Sequence, residues 1–173
     1  MNHIPCGLLL AAAMTAAATP VFAHATLEVQ QAPADSYYKA TMRVGHGCEG
    51  SPTLVVKISL PPEVTAVKPM PKPGWELKII KVKLDKPFIE SHGREVTERV
   101  SEVHWSGGRL LDEHYDEFAM QVRLPNTPGA TLYFPTVQEC ERGVHRWIEI
   151  PAAGKSRGDY KEPAPQMTLT PKP

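Results

Sequence analysis

Residues 115–124 read YDEFAMQVRL, and their alternation is the clearest indication of the fold class. Phe118, Met120 and Val122 alternate with mostly polar residues, and a period of two is typical of a β-strand with one face in a core. Glu117 then belongs to the opposite face of that strand. The stretch therefore predicts a half-buried strand and gives the pattern to look for elsewhere in the chain.

The same pattern recurs from His24 onward. Short alternating or β-branched runs are separated by glycine and by many of the 18 prolines, and no amphipathic helix is visible. We expect an all-β sandwich. The predicted strands are Ala25–Gln30, Tyr37–Val44, Thr53–Leu60, Thr65–Lys68, Trp75–Val82, Glu95–Trp105, Tyr115–Leu124, Thr131–Val137, Val144–Ile150 and an edge strand at Gln166–Leu169.

The first 23 residues have the features of a secretory signal peptide. They contain no charged side chain, carry an apolar run too short to span a membrane, and end with small residues at Val21 and Ala23. Cleavage after Ala23 would make His24 the N-terminus of one domain, residues 24–173. We therefore expect an exported, periplasmic protein without a membrane anchor.

Charge and motifs narrow the function. The chain has 19 basic and 19 acidic residues, which disfavours nucleic-acid binding because that role normally needs a basic surface. No nucleophile elbow, phosphate-binding loop, zinc-protease helix or dinucleotide motif is present. We expect a protein that is not an enzyme.

Two cysteines, Cys48 and Cys140, remain after Cys6 leaves with the signal peptide. In an oxidising compartment such a pair predicts one disulfide. The alternative is two free thiols that bind Cu(I) as soft ligands.

A histidine at a newly cut N-terminus offers two nitrogen donors from one residue. The α-amine and Nδ1 of His24 could close a six-membered chelate ring on a metal ion. Cu(II) favours such a site, because it stands highest among the divalent ions in affinity and prefers tetragonal nitrogen and oxygen ligands. His24 is therefore the candidate metal ligand.

A carboxylate is the natural third donor. Glu28 is nearest in sequence, but an extended chain would place its Cα about 13 Å from that of His24. Glu117 is preferred, since it faces away from the Phe118 side of its strand. The other mature histidines lack a ligand spacing and are predicted to be surface or turn residues, with His114 the one that could join a site near Glu117; they are His46, His92, His104, His114 and His145.

Several blocks together resemble the YcnI-like family of exported copper-binding domains. The resemblance covers nearly the whole mature chain, and its most specific parts are GCEGSPT and FPTVQEC. The blocks are HATLE (24–28), APADSYYKATMRVGHGCEGSPT (32–53), PKPGW (71–75), YDEF (115–118) and FPTVQECERGVHRW (134–147).

The resemblance implies an immunoglobulin-like or cupredoxin-like sandwich with one exposed Cu(II) ion. It also implies a single-histidine brace at His24, a glutamate at Glu117 or Glu28, and an adjacent tryptophan at Trp147. The implied role is a copper chaperone or scavenger that delivers to periplasmic or inner-membrane copper proteins. Two alternatives stay open: a copper redox enzyme with the same brace, and a structural sandwich module in which His24 is incidental.

Overall fold

The structure, a computed structural model, describes residues 24–89, 93 and 95–173. The predicted signal peptide and His92 lie outside these residues. Within them, one 3-10 helix at Arg157–Asp159 accompanies twelve strands, and no helix is long and apolar enough to cross a bilayer. The strands are β1 Thr26–Leu27, β2 Gln31–Pro33, β3 Tyr37–Val44, β4 Thr53–Ser59, β5 Thr65–Pro69, β6 Glu76–Ile89, β7 Glu95–Leu110, β8 Asp116–Arg123, β9 Thr131–Tyr133, β10 Thr136–Cys140, β11 Val144–Trp147 and β12 Gln166–Thr170.

The strands form three sheets. The four-stranded sheet has the order β1-β3-β8-β5, and the five-stranded sheet has the order β11-β10-β4-β7-β6. A small third sheet, β2-β12-β9, contains the parallel pair β12 and β2. Neighbouring strands in the two larger sheets run antiparallel.

The core lies between the two larger sheets. Phe118, Met120 and Val122 of β8 are at most 2% exposed, which confirms the alternation predicted for this strand. The Phe118 ring meets the fully buried Trp105 of β7 edge-on, with ring centroids 5.6 Å apart. Because β7 and β8 belong to different sheets, this contact joins the two layers, and the predicted all-β sandwich is confirmed.

One predicted strand is shortened in the structure and another is divided. The segment Ala25–Gln30 forms only the short β1, and the next residues form β2 in another sheet, so the chain changes sheets here. The segment Thr131–Val137 is interrupted at Pro135, which has no N–H to donate to a neighbouring strand. β9 and β10 therefore pair in different sheets.

Other strands differ in length or position. β6 continues well beyond Val82, because its hairpin with the start of β7 goes on pairing through mostly exposed residues. β7 continues beyond Trp105, where Ser106 and Leu110 pair with β4. The strand predicted at Gln166–Leu169 is confirmed as β12, but its prediction as an edge strand is wrong. β12 is the central strand of its sheet, between β2 and β9, and its Met167 and Leu169 are buried.

Candidate metal centre

His24 lies two residues before the start of β1 and is half-buried. It lines an open pocket of about 480 Å³, together with residues of the segment around the 3-10 helix, including Tyr160 and Lys161. Its imidazole meets the indole of Trp147 edge-on, with ring centroids 5.3 Å apart. The structure therefore brings together two of the residues predicted for the metal site.

Trp147 provides the apolar wall of this site. It is 1% exposed and lies at the end of β11, opposite Thr136 of β10. Its indole Nε1–H donates to Oε1 of the buried Gln138, 3.2 Å away, and the Gln138 amide nitrogen donates to the backbone carbonyl of His46 at 2.7 Å. Both ends of the Gln138 amide are thus satisfied, which fixes the orientation of the indole ring.

His145, on β11, stacks on the same indole. The ring centroids of His145 and Trp147 are 4.9 Å apart, with an interplanar angle of 27°. Nδ1 of His145 lies 2.8 Å from Oε1 of Glu162, and the other carboxylate oxygen of Glu162 accepts the backbone N–H of Arg146 at 3.0 Å. Burial alone would raise the pKa of Glu162. The hydrogen bonds from His145 and Arg146 outweigh it, so the pKa is lowered from its ordinary value.

His46 lies beside His145, the histidine that stacks on Trp147. It is half-buried in the loop between β3 and β4, and its ring centroid lies 5.8 Å from that of His145, nearly perpendicular. Both histidines are partly exposed, so the predicted surface or turn positions hold in part: His46 lies in a loop and His145 in a strand. Strand pairing and ring packing, invisible in the local sequence, bring the two together.

The disulfide predicted between Cys48 and Cys140 is confirmed. The two Cα atoms are 5.9 Å apart, within the range of about 4.4–6.8 Å that a disulfide requires. It excludes the alternative in which both thiols bind Cu(I). It also joins the loop of His46 to β10, the strand that pairs with the strand of His145.

The two candidate glutamates lie together, but at Arg43 of β3. Glu28 and Glu117 each approach the Arg43 guanidinium at 3.3 Å, and all three side chains are partly exposed. Arg43 stands in register between Thr26 of β1 and Glu117 of β8. With about 4.7–4.9 Å between neighbouring strands, the backbones of Thr26 and Glu117 are roughly 10 Å apart.

The structure does not gather His24, Glu28 and Glu117 into one group. Among the described residues, no three His, Cys, Asp or Glu side chains lie close enough to form a ready metal cage. His114 is exposed beside Glu113 and takes no part in the group around Trp147. The side chains that sequence reasoning missed are His145, its partner Glu162, and His46; only the family block FPTVQECERGVHRW pointed to this region.

Comparisons with known proteins agree with this architecture. A solved structure of an uncharacterised protein from Nocardia farcinica, described as revealing an immunoglobulin-like fold, is 25% identical, with a TM-score of 0.63. The match covers 85% of this chain and 98% of that one. No curated protein matches the sequence. The family described as a domain of unknown function, DUF1775, matches residues 24–169, and the chain therefore belongs to this family, of which YcnI-like proteins are members.

Proposed function

We propose that the mature protein binds one Cu(II) ion through His24 and carries it in the periplasm as a non-enzymatic copper chaperone or scavenger. The observation that carries the proposal is the contact between the His24 imidazole and the buried Trp147, 5.3 Å between ring centroids, at an open pocket. An aromatic wall on one side and solvent on the other suit an ion that must be exchanged with a partner protein.

The chemistry depends on cleavage after Ala23. In the uncleaved chain the nitrogen of His24 belongs to a peptide bond and is a poor ligand. Cleavage converts it to an amine with an ordinary pKa of about 7.7–8.0, so proton competition at neutral pH is mild. The amine and Nδ1 of His24 then chelate the ion, and these two nitrogen donors suit Cu(II).

A carboxylate would supply the third donor. Glu117 remains our choice and Glu28 the alternative; either must leave Arg43, with which both form ion pairs at 3.3 Å. These pairs are exposed and contribute little to stability, so exchanging one for a metal bond costs little. Arg43 would keep the other glutamate as its partner.

The two glutamates form a matched pair of variants. Glu117→Gln is expected to weaken Cu(II) binding and change the paramagnetic-resonance spectrum of the bound ion, whereas Glu28→Gln should leave both nearly unchanged. Since each variant leaves Arg43 one carboxylate partner, they perturb the surface similarly. The opposite ranking would assign the third ligand to Glu28.

A one-residue extension tests the proposal directly. The protein that begins at His24 is compared with a version carrying one added alanine ahead of it. The extended protein should keep its fold, judged by circular dichroism, and lose the tight Cu(II) binding measured by competition with a chelator. If both versions bind Cu(II) equally tightly and give the same paramagnetic-resonance spectrum, His24 is not the anchor and the proposal fails.

A further inference from the structure

Two imidazoles near Trp147 form a pair that the His24 brace does not use. His46, from the loop before β4, and His145, on β11, have ring centroids 5.8 Å apart and planes at 87°. The Cys48–Cys140 disulfide fixes the loop of one against the hairpin of the other. With only 22% of its side chain exposed, His145 is shielded yet still open to a small ion.

Hydrogen bonding fixes the tautomer of both rings. Nδ1 of His46 is 2.5 Å from the carbonyl oxygen of Gly47, and Nδ1 of His145 is 2.8 Å from a carboxylate oxygen of Glu162. A carbonyl oxygen and an ionised carboxylate can each only accept a hydrogen bond. In each neutral ring the Nδ1 atom must therefore carry the proton and donate it. The lone pair is then on Nε2. In the described part of the chain, neither Nε2 atom has a hydrogen-bond partner.

This is the arrangement that orients metal-ligating histidines in proteins. Such a histidine donates its second ring N–H to a carboxylate or a backbone carbonyl, which sets the ring orientation and makes the free nitrogen a better donor. His145 has a carboxylate in this role and His46 has a carbonyl.

The spacing of the rings fits a shared ion. With a metal–nitrogen distance of about 2.0–2.1 Å, a ligating ring has its centroid about 3.2 Å from the ion, so two rings on one ion stand up to about 6.4 Å apart. The observed 5.8 Å falls within that limit. Because imidazole nitrogen suits late first-row divalent ions, Cu(II) and Zn(II) are the ions expected.

We propose that Nε2 of His46 and Nε2 of His145 form a second metal-binding position for Cu(II) or Zn(II), with water completing the coordination. The position uses neither the α-amine nor the imidazole of His24, so it does not rest on the function proposed above. The indole of Trp147 contacts both His24 and His145 and forms a common wall for the two positions.

The test uses the protein extended by one alanine ahead of His24, in which the brace is disabled. Calorimetric titration with Zn(II) and, separately, Cu(II) should show one ion bound per chain, with Cu(II) bound more weakly than by the protein that begins at His24. His46→Asn and His145→Asn should each weaken binding at least about tenfold, since losing an orienting partner alone typically costs about 10–100-fold. Glu162→Gln should weaken metal binding by about 10–100-fold, because it changes the orienting partner of His145. His104→Asn is the matched control, because His104 also pairs with a carboxylate, Glu102 at 2.6 Å, but lies on β7.

A second measurement needs no histidine variant, so it stays informative even if a substitution prevents folding. In the nitrogen NMR spectrum of the extended protein, Zn(II) should shift the Nε2 signals of His46 and His145 and leave those of His104 in place. The proposal is overturned if the extended protein binds neither ion, if both histidine variants bind as tightly as the parent, or if the His104→Asn control loses as much affinity. Failure of the His24 brace would be seen in a different comparison. The protein that begins at His24 and the extended protein would then bind Cu(II) equally tightly.

Discussion

Trp147 is part of both the core and the candidate site, and comparing it with Trp105, which is part of the core alone, separates the two roles. Trp147 and Trp105 are each at most 1% exposed, and each donates its indole N–H to one acceptor: Gln138 Oε1 at 3.2 Å and the carbonyl of Met70 at 3.1 Å. Only Trp147 contacts His24. Replacing either by phenylalanine removes the same chemical group from a similar environment.

Trp147→Phe and Trp105→Phe should both lower the free energy of unfolding, by up to about 1–3 kcal/mol for the acceptor left unpaired, with a further cost from the smaller ring. Urea denaturation measures this. In the protein that begins at His24, only Trp147→Phe should also alter the electronic spectrum of bound Cu(II), because the surroundings of a site tune its metal. An unchanged copper spectrum in Trp147→Phe would show that the indole is not part of the site.

The residues of the candidate site differ in how far the sequence could predict them. His24 follows from the cleavage site, and the family resemblance assigned Trp147; their contact of 5.3 Å agrees with both. His46 and His145 have no ligand spacing, since they meet only after β10 and β11 pair and the disulfide closes. Long-range packing of this kind leaves no local pattern. The choice between Glu117 and Glu28 stays a prediction, because both contact Arg43.

Among the elements, the hairpin of β10 and β11 holds most of the candidate site. Its register places Trp147 opposite Thr136 and His145 opposite Gln138, and the disulfide from Cys140 anchors it to the loop of His46. The bond closes a sequence separation of 92 residues. Closing a loop of that length constrains the unfolded chain strongly.

The double variant Cys48→Ser and Cys140→Ser should lose on the order of 4 kcal/mol of the free energy of unfolding, from the chain-entropy effect. The measurement is the urea midpoint under oxidising conditions. As a control, the parent protein treated with reductant should unfold at the midpoint of the double variant, whereas reductant should not shift the variant itself. Equal midpoints for the oxidised parent and the variant would contradict a stabilising disulfide.

A close approach on β7 offers a test of packing that is independent of the site. A Cβ on Gly108 would lie 2.1 Å from Cε2 of Trp75, whose ring packs edge-on against Phe118 with centroids 5.0 Å apart. The indole of Trp75 therefore needs a residue without a side chain beneath it.

Gly108→Ala should destabilise the fold by about 1–3 kcal/mol, because the inserted methyl group forces Trp75 out of its place against the core. Thermal unfolding measures the change. Gly158→Ala is the control, since its Cβ would meet nothing nearer than Ser156 Oγ at 3.6 Å and should alter stability little. Equal effects of the two substitutions would show that the contact beneath Trp75 is not tight.

Strand positions were predictable where one face of a strand is buried. β3, β4 and β8 match the sequence prediction closely because their apolar residues alternate against the core, as Met42, Ile58 and Phe118 show. Prediction was poorer where pairing continues without burial, in β6 beyond Val82, and where the chain changes sheets, at β1 and β2. The apolar pattern of a sequence indicates which residues are buried. Backbone pairing between strands can continue where no residue is buried, and the pattern does not reveal it.

At the scale of the whole molecule, Asp35 links separate parts of the sandwich. It lies between β2 of the small sheet and β3 of the four-stranded sheet, and its carboxylate accepts hydrogen bonds from Arg123 of β8 and from Lys172, after β12. The pKa of Asp35 is lower than its ordinary value of 3.8. The hydrogen bond from Arg123 is the largest cause, and the hydrogen bond from Lys172 is the next. Its φ of 52° is a conformation that asparagine also tolerates.

The stability of the sandwich should therefore depend on pH through Asp35. Because its pKa is lower in the folded protein than in the unfolded chain, its contribution is complete above the unfolded value and is lost as the pH falls through the folded one. Asp35→Asn keeps the shape and removes the charge. The parent should be more stable than this variant near about pH 6, and the difference should shrink steadily toward about pH 2.5, as measured by urea unfolding across that range.

Asp85→Asn, at an exposed position of β6, is the matched control and should show a smaller pH-dependent difference. If the gap between the parent and Asp35→Asn stays constant down to the acid limit, the carboxylate does not stabilise the fold through its charge, and the link between the sheets depends on shape alone.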